Sequence, residues 1–204
     1  LADTTIESAM LVPAKADETS IAGDVPGSPG FCRVVARVRS EPGSDIGVEL
    51  WLPAQGWAGV FHGNGSGGFA GNFTLGYSGM AEGLRRGFAT ATTDAGTAPA
   101  TPLEGDALIG HPRKWRDWGR RSTHVMTTTG KALTKAFYGR EARKSYYTGC
   151  STGGQMGLIE AATKGRIKTV GRLLANGAVV NLEGANGANA LHFACYHGHT
   201  AVCV

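Results

Sequence analysis

No stretch of the 204-residue chain approaches the ~18 consecutive apolar residues that a membrane-spanning helix needs, so no span and no membrane partner are expected. Cysteine is scarce. The four residues, Cys32, Cys150, Cys195 and Cys203, lie too far apart for paired zinc ligands, and neither metal nor cofactor is expected. Charge is modest at 18%, against 42% hydrophobic residues, which excludes a disordered polyelectrolyte and leaves a globular chain. The net charge of +4 comes mainly from one run, "HPRKWRDWGRR" (His111 to Arg121). It reads as a solvated helix entry. Trp115 and Trp118 interleave with it, but no nucleic-acid motif accompanies them, so a nucleic-acid partner is not expected. A basic-then-apolar leader is also missing, and the chain opens on Leu1 rather than Met. The expectation is a removed leader or a fragment. Two sequons, Asn64-Gly65-Ser66 and Asn72-Phe73-Thr74, weakly favour secretion.

Glycine, by contrast, is abundant at 32 residues and predicts many tight turns. "FCRVVARVRS" (Phe31 to Ser40) and "IGVELWLP" (Ile46 to Pro53) alternate apolar and polar residues around the turn "EPGSD", the pattern of a hairpin. "WAGVFHG" (Trp57 to Gly63) is a short apolar run leading into "GNGSGGFAG". Helical spacing with a glycine stop marks "SGMAEGLRRG" (Ser78 to Gly87), and "FATATTD" (Phe88 to Asp94) is strand-like. A long helix is expected over Gly119 to Gly139, then a short strand in "SYYTG". Strands alternating with helices imply an α/β architecture with a parallel sheet.

Gly149-Cys150-Ser151-Thr152-Gly153 fits G-x-S-x-G, with a strand before it and helix-compatible "GGQMGLIEAA" after it. That strand-turn-helix context is what a nucleophile elbow requires. Small flanking residues let strand and helix approach while the serine Oγ stands clear. The backbone N–H of Thr152 can then donate to an oxyanion. A second donor is expected from the glycine-rich loop "GNGSGGFAG" (Gly63 to Gly71) that follows the strand-like "WAGVFH". The alternative reading is a flexible glycine turn beside an unrelated Gly-Ser-Gly turn.

Several segments together resemble the tannase and feruloyl esterase family. They are "TTIESAMLVPA", "FCRVVARV", "GVELWLP", "WAGVFHGNGSGGFAG", "GFATATTDAGT", "ALIGHPRKWRDWGRRSTH" and "KALTKAFYGREARKSYYTGCSTGG", in order over about Leu1 to Leu158. The resemblance implies an α/β-hydrolase fold and hydrolysis of phenolic-acid esters, with Ser151 as nucleophile, Thr152 N–H as one oxyanion donor and a glycine of Gly65 to Gly68, with Gly67 and Gly68 the candidates, as the other. It also implies a lid, an Asp and a His beyond the serine, and a disulfide from Cys150 to a Cys beside that His. Only 53 residues (204 − 151) follow Ser151, too few for those parts, so Cys150 is left without that partner. The family's turn carries a His where this chain has Thr97. His62, His111 and His124 precede the serine, the wrong order for a base in this fold.

The remainder has a different period. Leu158 and Leu191, Ala161 and Ala194, Gly165 and Gly198 are each 33 residues apart (191 − 158, 194 − 161, 198 − 165). That period, with "LLANGAVVN" (Leu173 to Asn181) and "NGANALHFACYHGHTAV" (Asn186 to Val202), resembles ankyrin repeats. His192 and His199 then have structural roles, and His197 belongs with them. The expected organisation is a partial hydrolase domain over 1–157 and one to one-and-a-half ankyrin-like repeats over 158–204. Three functional readings follow: an ester hydrolase impaired by the missing Asp and His, a protein-binding module on an esterase scaffold, or a chimeric fragment. Localisation is conflicted, secreted on the first resemblance and intracellular on the second.

Overall fold

A computed structural model describes residues 1, 3–14, 27–181 and 188–203. Asn186 and Gly187, at the start of the second repeat-like segment, lie outside the described residues. The sheet has six strands: β1 (Thr4–Val12), β2 (Phe31–Val38), β3 (Ile46–Pro53), β4 (Val60–Asn64), β5 (Ala89–Thr93) and β6 (Lys144–Thr148). Their spatial order is β1-β2-β3-β5-β4-β6. The first four in that order pair antiparallel, and β4 runs parallel to both β5 and β6. The hairpin read from the sequence is β2–β3, in register from Phe31–Pro53 to Val38–Ile46.

Every residue of β3 is buried, because helices cover both faces of the sheet. Side chains alternate across a strand. Ile46, Val48, Leu50 and Leu52 therefore join Val34, Phe61, Ala91, Val125 and Met126 in one cluster. Trp51 faces the other way and packs with Phe31, Met80 and Leu84. The first layer is supplied by α3 (Ser122–Tyr138) and the second by α1 (Tyr77–Arg85). Gly130 lets α3 sit directly on the sheet, since a Cβ there would lie 2.8 Å from the Phe61 ring. Gly139, at φ 69°, ends α3 in the left-handed conformation that favours glycine.

The basic run differs from a simple solvated helix entry. It forms α2 (Pro112–Arg116) and a π-helical stretch over Asp117–Arg121 that feeds α3. Asp117 is fully buried and accepts a hydrogen bond from the Ser44 hydroxyl at 2.7 Å. Burial pushes its carboxyl above the usual range. Glu41, 72 to 80 residues earlier in the chain (113 − 41, 121 − 41), gathers Arg113 (3.2 Å), Arg116 (3.3 Å) and Arg121. Charge in this run is spent on docking the strand β2–β3 turn, not only on solvent.

Beyond β6 the chain is helical: α4 (Thr152–Thr163), α5 (Ile167–Ala175), α6 (Ala190–Tyr196) and α7 (Thr200–Cys203). α4 is continuous across the change of sequence pattern at Leu158. Its far half buries Leu158, Ile159, Ala161 and Ala162 against Val170, Ala190 and Ala194. The small residues let α4 and α6 approach closely. Apolar residues nevertheless remain open on this layer, among them Ile167, Val179, Val180, Leu191 and Tyr196.

Candidate active site

β6 delivers the chain through Gly149 and Cys150 to Ser151, whose φ of 52° and ψ of −131° lie in a region that non-glycine residues rarely occupy. Such a conformation costs on the order of 1–3 kcal/mol and persists only where the surroundings enforce it. Here they do. A Cβ on Gly149 would lie 2.5 Å from the Gly153 carbonyl carbon. A Cβ on Gly153 would collide with the Ser66 carbonyl oxygen and lie 2.9 Å from the Gly65 carbonyl carbon. The Tyr147 hydroxyl donates to the Gly153 carbonyl at 2.6 Å. Burial pushes the Tyr147 phenol well above its ordinary value, so it stays a donor. Strand, turn, helix and glycine loop thus meet at backbone contact, with Ser151 exposed at the apex.

The glycine loop leaves β4 beside this apex. Gly65 N–H donates to the Thr148 carbonyl at 2.8 Å. Thr152 is the first residue of α4, so its N–H has no acceptor within the helix and finds none elsewhere among the described residues. Farther along, the loop is pinned. Trp118 Nε1 donates to the Gly68 carbonyl (2.8 Å) and the Thr97 hydroxyl donates to the Phe69 carbonyl (2.6 Å). Phe69 and Gly71 N–H reach the carbonyls of Pro102 and Asp94. Gly68 has φ 54° and no room for a Cβ against Pro102. The N–H groups of Ser66, Gly67 and Gly68 find no acceptor among the described residues. Gly65 and Ser66 touch the elbow helix, whereas Gly67 and Gly68 lie farther along the loop. Thr97, fully buried, fixes the loop from behind. Asp94 holds that same turn: it pairs with Arg37 at 2.6 Å and accepts from Gly47 and Gly96 N–H.

Each histidine with a hydrogen-bond partner spends it away from Ser151. His62 Nε2 meets the Thr148 hydroxyl at 2.9 Å. His124 Nδ1 meets Glu160 at 2.9 Å. His192 closes a capping box with Asn189, and His199 Nε2 bonds the Thr163 carbonyl at 2.9 Å, both structural roles within the helical layer. His111 is exposed at the start of α2, and the His197 ring stacks on His199. All four cysteines are free, Cys150 among them. Of the two sequons, Asn64 is buried and bonded to Thr148, whereas Asn72 lies on the surface loop.

His62 yields a pH prediction. Burial, then the Arg86 charge, holds its pKa below the ordinary 6.5. The folded imidazole therefore stays neutral where the unfolded one takes a proton. Stability is full above pH 6.5 and falls as pH drops below it toward the folded value, by up to about 1.4 kcal/mol per pH unit. Urea midpoints at pH 7.5 and 5.5 should diverge in the native chain and converge in His62→Gln. Equal pH slopes in both proteins would remove His62 as the cause.

The order of strands, the parallel crossovers and a serine held at positive φ between strand and helix define a hydrolase-type α/β fold with an elbow. The sequence model described as tannase and feruloyl esterase matches residues 32–164, and this chain belongs to that family. The model described as ankyrin repeats (many copies) matches residues 158–204, overlapping on α4. An uncharacterized esterase of Xanthomonas campestris is 41% identical over 79% of this chain and 27% of its own length. A probable feruloyl esterase B-2 of Aspergillus flavus is 38% identical over 64% of this chain and 24% of its own. The solved feruloyl esterase B from Aspergillus oryzae superposes with a TM-score of 0.68, at 30% identity, over 80% of this chain and 32% of that one. The chain thus spans about a quarter of the length of the curated relatives it matches.

Proposed function

We propose that the chain carries the nucleophile half of a serine carboxylic ester hydrolase acting on phenolic-acid esters. The observation that supports this most is Ser151 itself, exposed and held at φ 52° where strand, helix and glycine loop converge. In this reading the Ser151 Oγ attacks the ester carbonyl carbon while a base removes its proton. The oxyanion rests on the open N–H of Thr152 and on a second N–H from the Gly65–Gly68 loop, with Gly67 and Gly68 the candidates. The alcohol departs, and water then releases the acid from the acyl-enzyme. The substrate class rests on family membership and on the names of the relatives.

Turnover by this chain is proposed to be weak, because the hydrogen-bonded histidines are engaged elsewhere and no side chain bonds the Ser151 hydroxyl among the described residues. A serine without its base retains the oxyanion-hole contribution, roughly 10³–10⁴ over water in enzymes where this has been dissected. The test is a fluorophosphonate probe, in which the serine oxygen displaces fluoride at phosphorus. Slow labelling mapped to Ser151 and absent from Ser151→Ala is the expected result. Labelling that survives Ser151→Ala, or no labelling of folded protein, overturns the reading.

A second reading, a protein-binding role for the 158–204 segment, is supported by its ankyrin match and by the open apolar side chains of α5 and α6. It makes no demand on Ser151.

A further inference from the structure

Cys195 and Cys203 are eight residues apart, a spacing that puts nothing together on a straight helix. In the structure α6 ends, Gly198 takes φ 70°, and the chain reverses into α7. That turn brings Cys195 Sγ to 3.0 Å from Cys203 Sγ. Both thiols are free, Cys195 is exposed, and Cys203 is half-buried. A disulfide has an S–S distance of ~2.05 Å, so closing the gap asks for about an ångström of side-chain rotation.

We propose that Cys195 and Cys203 form a redox modification site, which a low-molecular-weight disulfide such as oxidised glutathione converts to an intramolecular disulfide. Exposed Cys195 is the residue a soluble oxidant reaches first. Its thiolate attacks one glutathione sulfur, breaking the glutathione disulfide and releasing one glutathione. Cys203 then attacks Cys195 Sγ in the mixed disulfide and displaces the second. Two protein thiols are oxidised, one glutathione disulfide is reduced to two thiols, and the two protons end on the released glutathione. Cys203, half-buried beside Cys195, comes second by access.

The site has a structural consequence within the helical layer. Between the two cysteines lies His199, whose Nε2 bonds the Thr163 carbonyl at the C-terminal end of α4. The Cys203 thiol also reaches the His199 carbonyl at 3.5 Å. Cys203 and Val202 pack on the same cluster as Leu158, Ile159 and Ala162. A disulfide would fasten the turn that caps the elbow helix and hold α7 on its cluster. The reduced chain relies on a four-residue helix to do so. None of this depends on Ser151 or on ester hydrolysis.

The experiment is a redox titration of the full chain, freed of metal by chelator, in mixtures of reduced and oxidised glutathione. At oxidising ratios Cys195 and Cys203 should leave the thiol pool together, beyond any glutathione adduct on exposed Cys150, and peptide mapping should find Cys195 joined to Cys203. Hydrogen exchange of the α6–α7 amides should slow by about ten- to a hundredfold, the effect of closing a short loop. Cys195→Ser and Cys203→Ser should each leave a glutathione adduct on the remaining cysteine and no change in α6–α7 exchange. Four thiols persisting at every ratio overturns the proposal. So does a mapped disulfide through Cys150 or Cys32, or a Cys195–Cys203 bond found only in unfolded protein.

Discussion

Glu49→Ala is expected to lower the unfolding free energy by about 3–5 kcal/mol, the cost of stranding a buried donor and losing the charged hydrogen bonds that converge on Glu49. With a urea slope of roughly 2 kcal/mol per M, the midpoint should fall by about 2 M. Glu49 has no solvent exposure and sits on the central strand β3. Its carboxylate binds Arg33 through two contacts, Nε at 2.7 Å and Nη2 at 2.9 Å. It also accepts from Trp51 Nε1 at 2.7 Å and from the Tyr77 hydroxyl at 3.0 Å. Strands β2 and β3 and helix α1 are thereby joined at one point. Burial and the facing carboxylate push the Tyr77 phenol up to about 12, so it remains a donor at any physiological pH. Arg33, partly exposed, can turn to water when Glu49 is lost. Trp51 cannot, at 1% exposure, and its N–H would be stranded beside Phe31 and Met80. Glu49→Gln keeps the volume and one acceptor, so about 1.5–3 kcal/mol is expected for it. A loss under 1 kcal/mol in Glu49→Ala would show that the four contacts do not act as a unit.

That knot also shows what sequence reading reaches. Alternation in "IGVELWLP" announces a strand and puts Glu49 on its polar face, yet that face is buried as well. Nothing local tells that Arg33, Trp51 and Tyr77 converge on it from three elements. Local rules did locate α1, α3, β5 and β6 to within a few residues, because glycine stops and hydrophobic periods are short-range signals. The elbow was legible for the same reason. Its small residues at fixed spacing left a plain glycine turn as the alternative, and the structure holds Ser151 at positive φ between strand and helix. Pairings over long separations were not legible. Glu41 with its three arginines and Gly65 with Thr148 depend on how β2, β4 and β6 are ordered in space. Cys195 and Cys203 were hidden differently, by a chain reversal at Gly198 within nine residues. Asn64 illustrates the converse, a sequon that is sound as a triplet and inaccessible as a side chain.

Gly153→Ala tests the contact on which the proposed site depends. The two halves of the oxyanion arrangement come from separate segments, α4 and the loop after β4, and only close backbone approach aligns them. Gly153 is where they touch. Its added Cβ would meet the Ser66 carbonyl oxygen and lie 2.9 Å and 3.1 Å from the Gly65 carbonyl carbon and Cα. All of these are backbone atoms, so no rotamer change can relieve the clash. Either the glycine loop withdraws from the elbow, breaking Gly65 N–H to Thr148, or the first turn of α4 unwinds and releases the Tyr147 hydroxyl. Overpacking of this kind costs about 1–3 kcal/mol in stability. The effect on chemistry should be larger in proportion, since a displacement of about 1 Å at a reacting centre can cost on the order of 10²-fold. The rate of fluorophosphonate labelling at Ser151 should therefore fall by about that factor while circular dichroism reports a folded chain. Gly171→Ala is the matched control: its Cβ meets nothing within 4 Å, on a helix remote from the elbow. It should label at the native rate and gain up to about 1 kcal/mol in helix stability. Equal labelling by Gly153→Ala and the native chain would mean that the glycine loop takes no part in stabilising the charge that forms when Ser151 reacts.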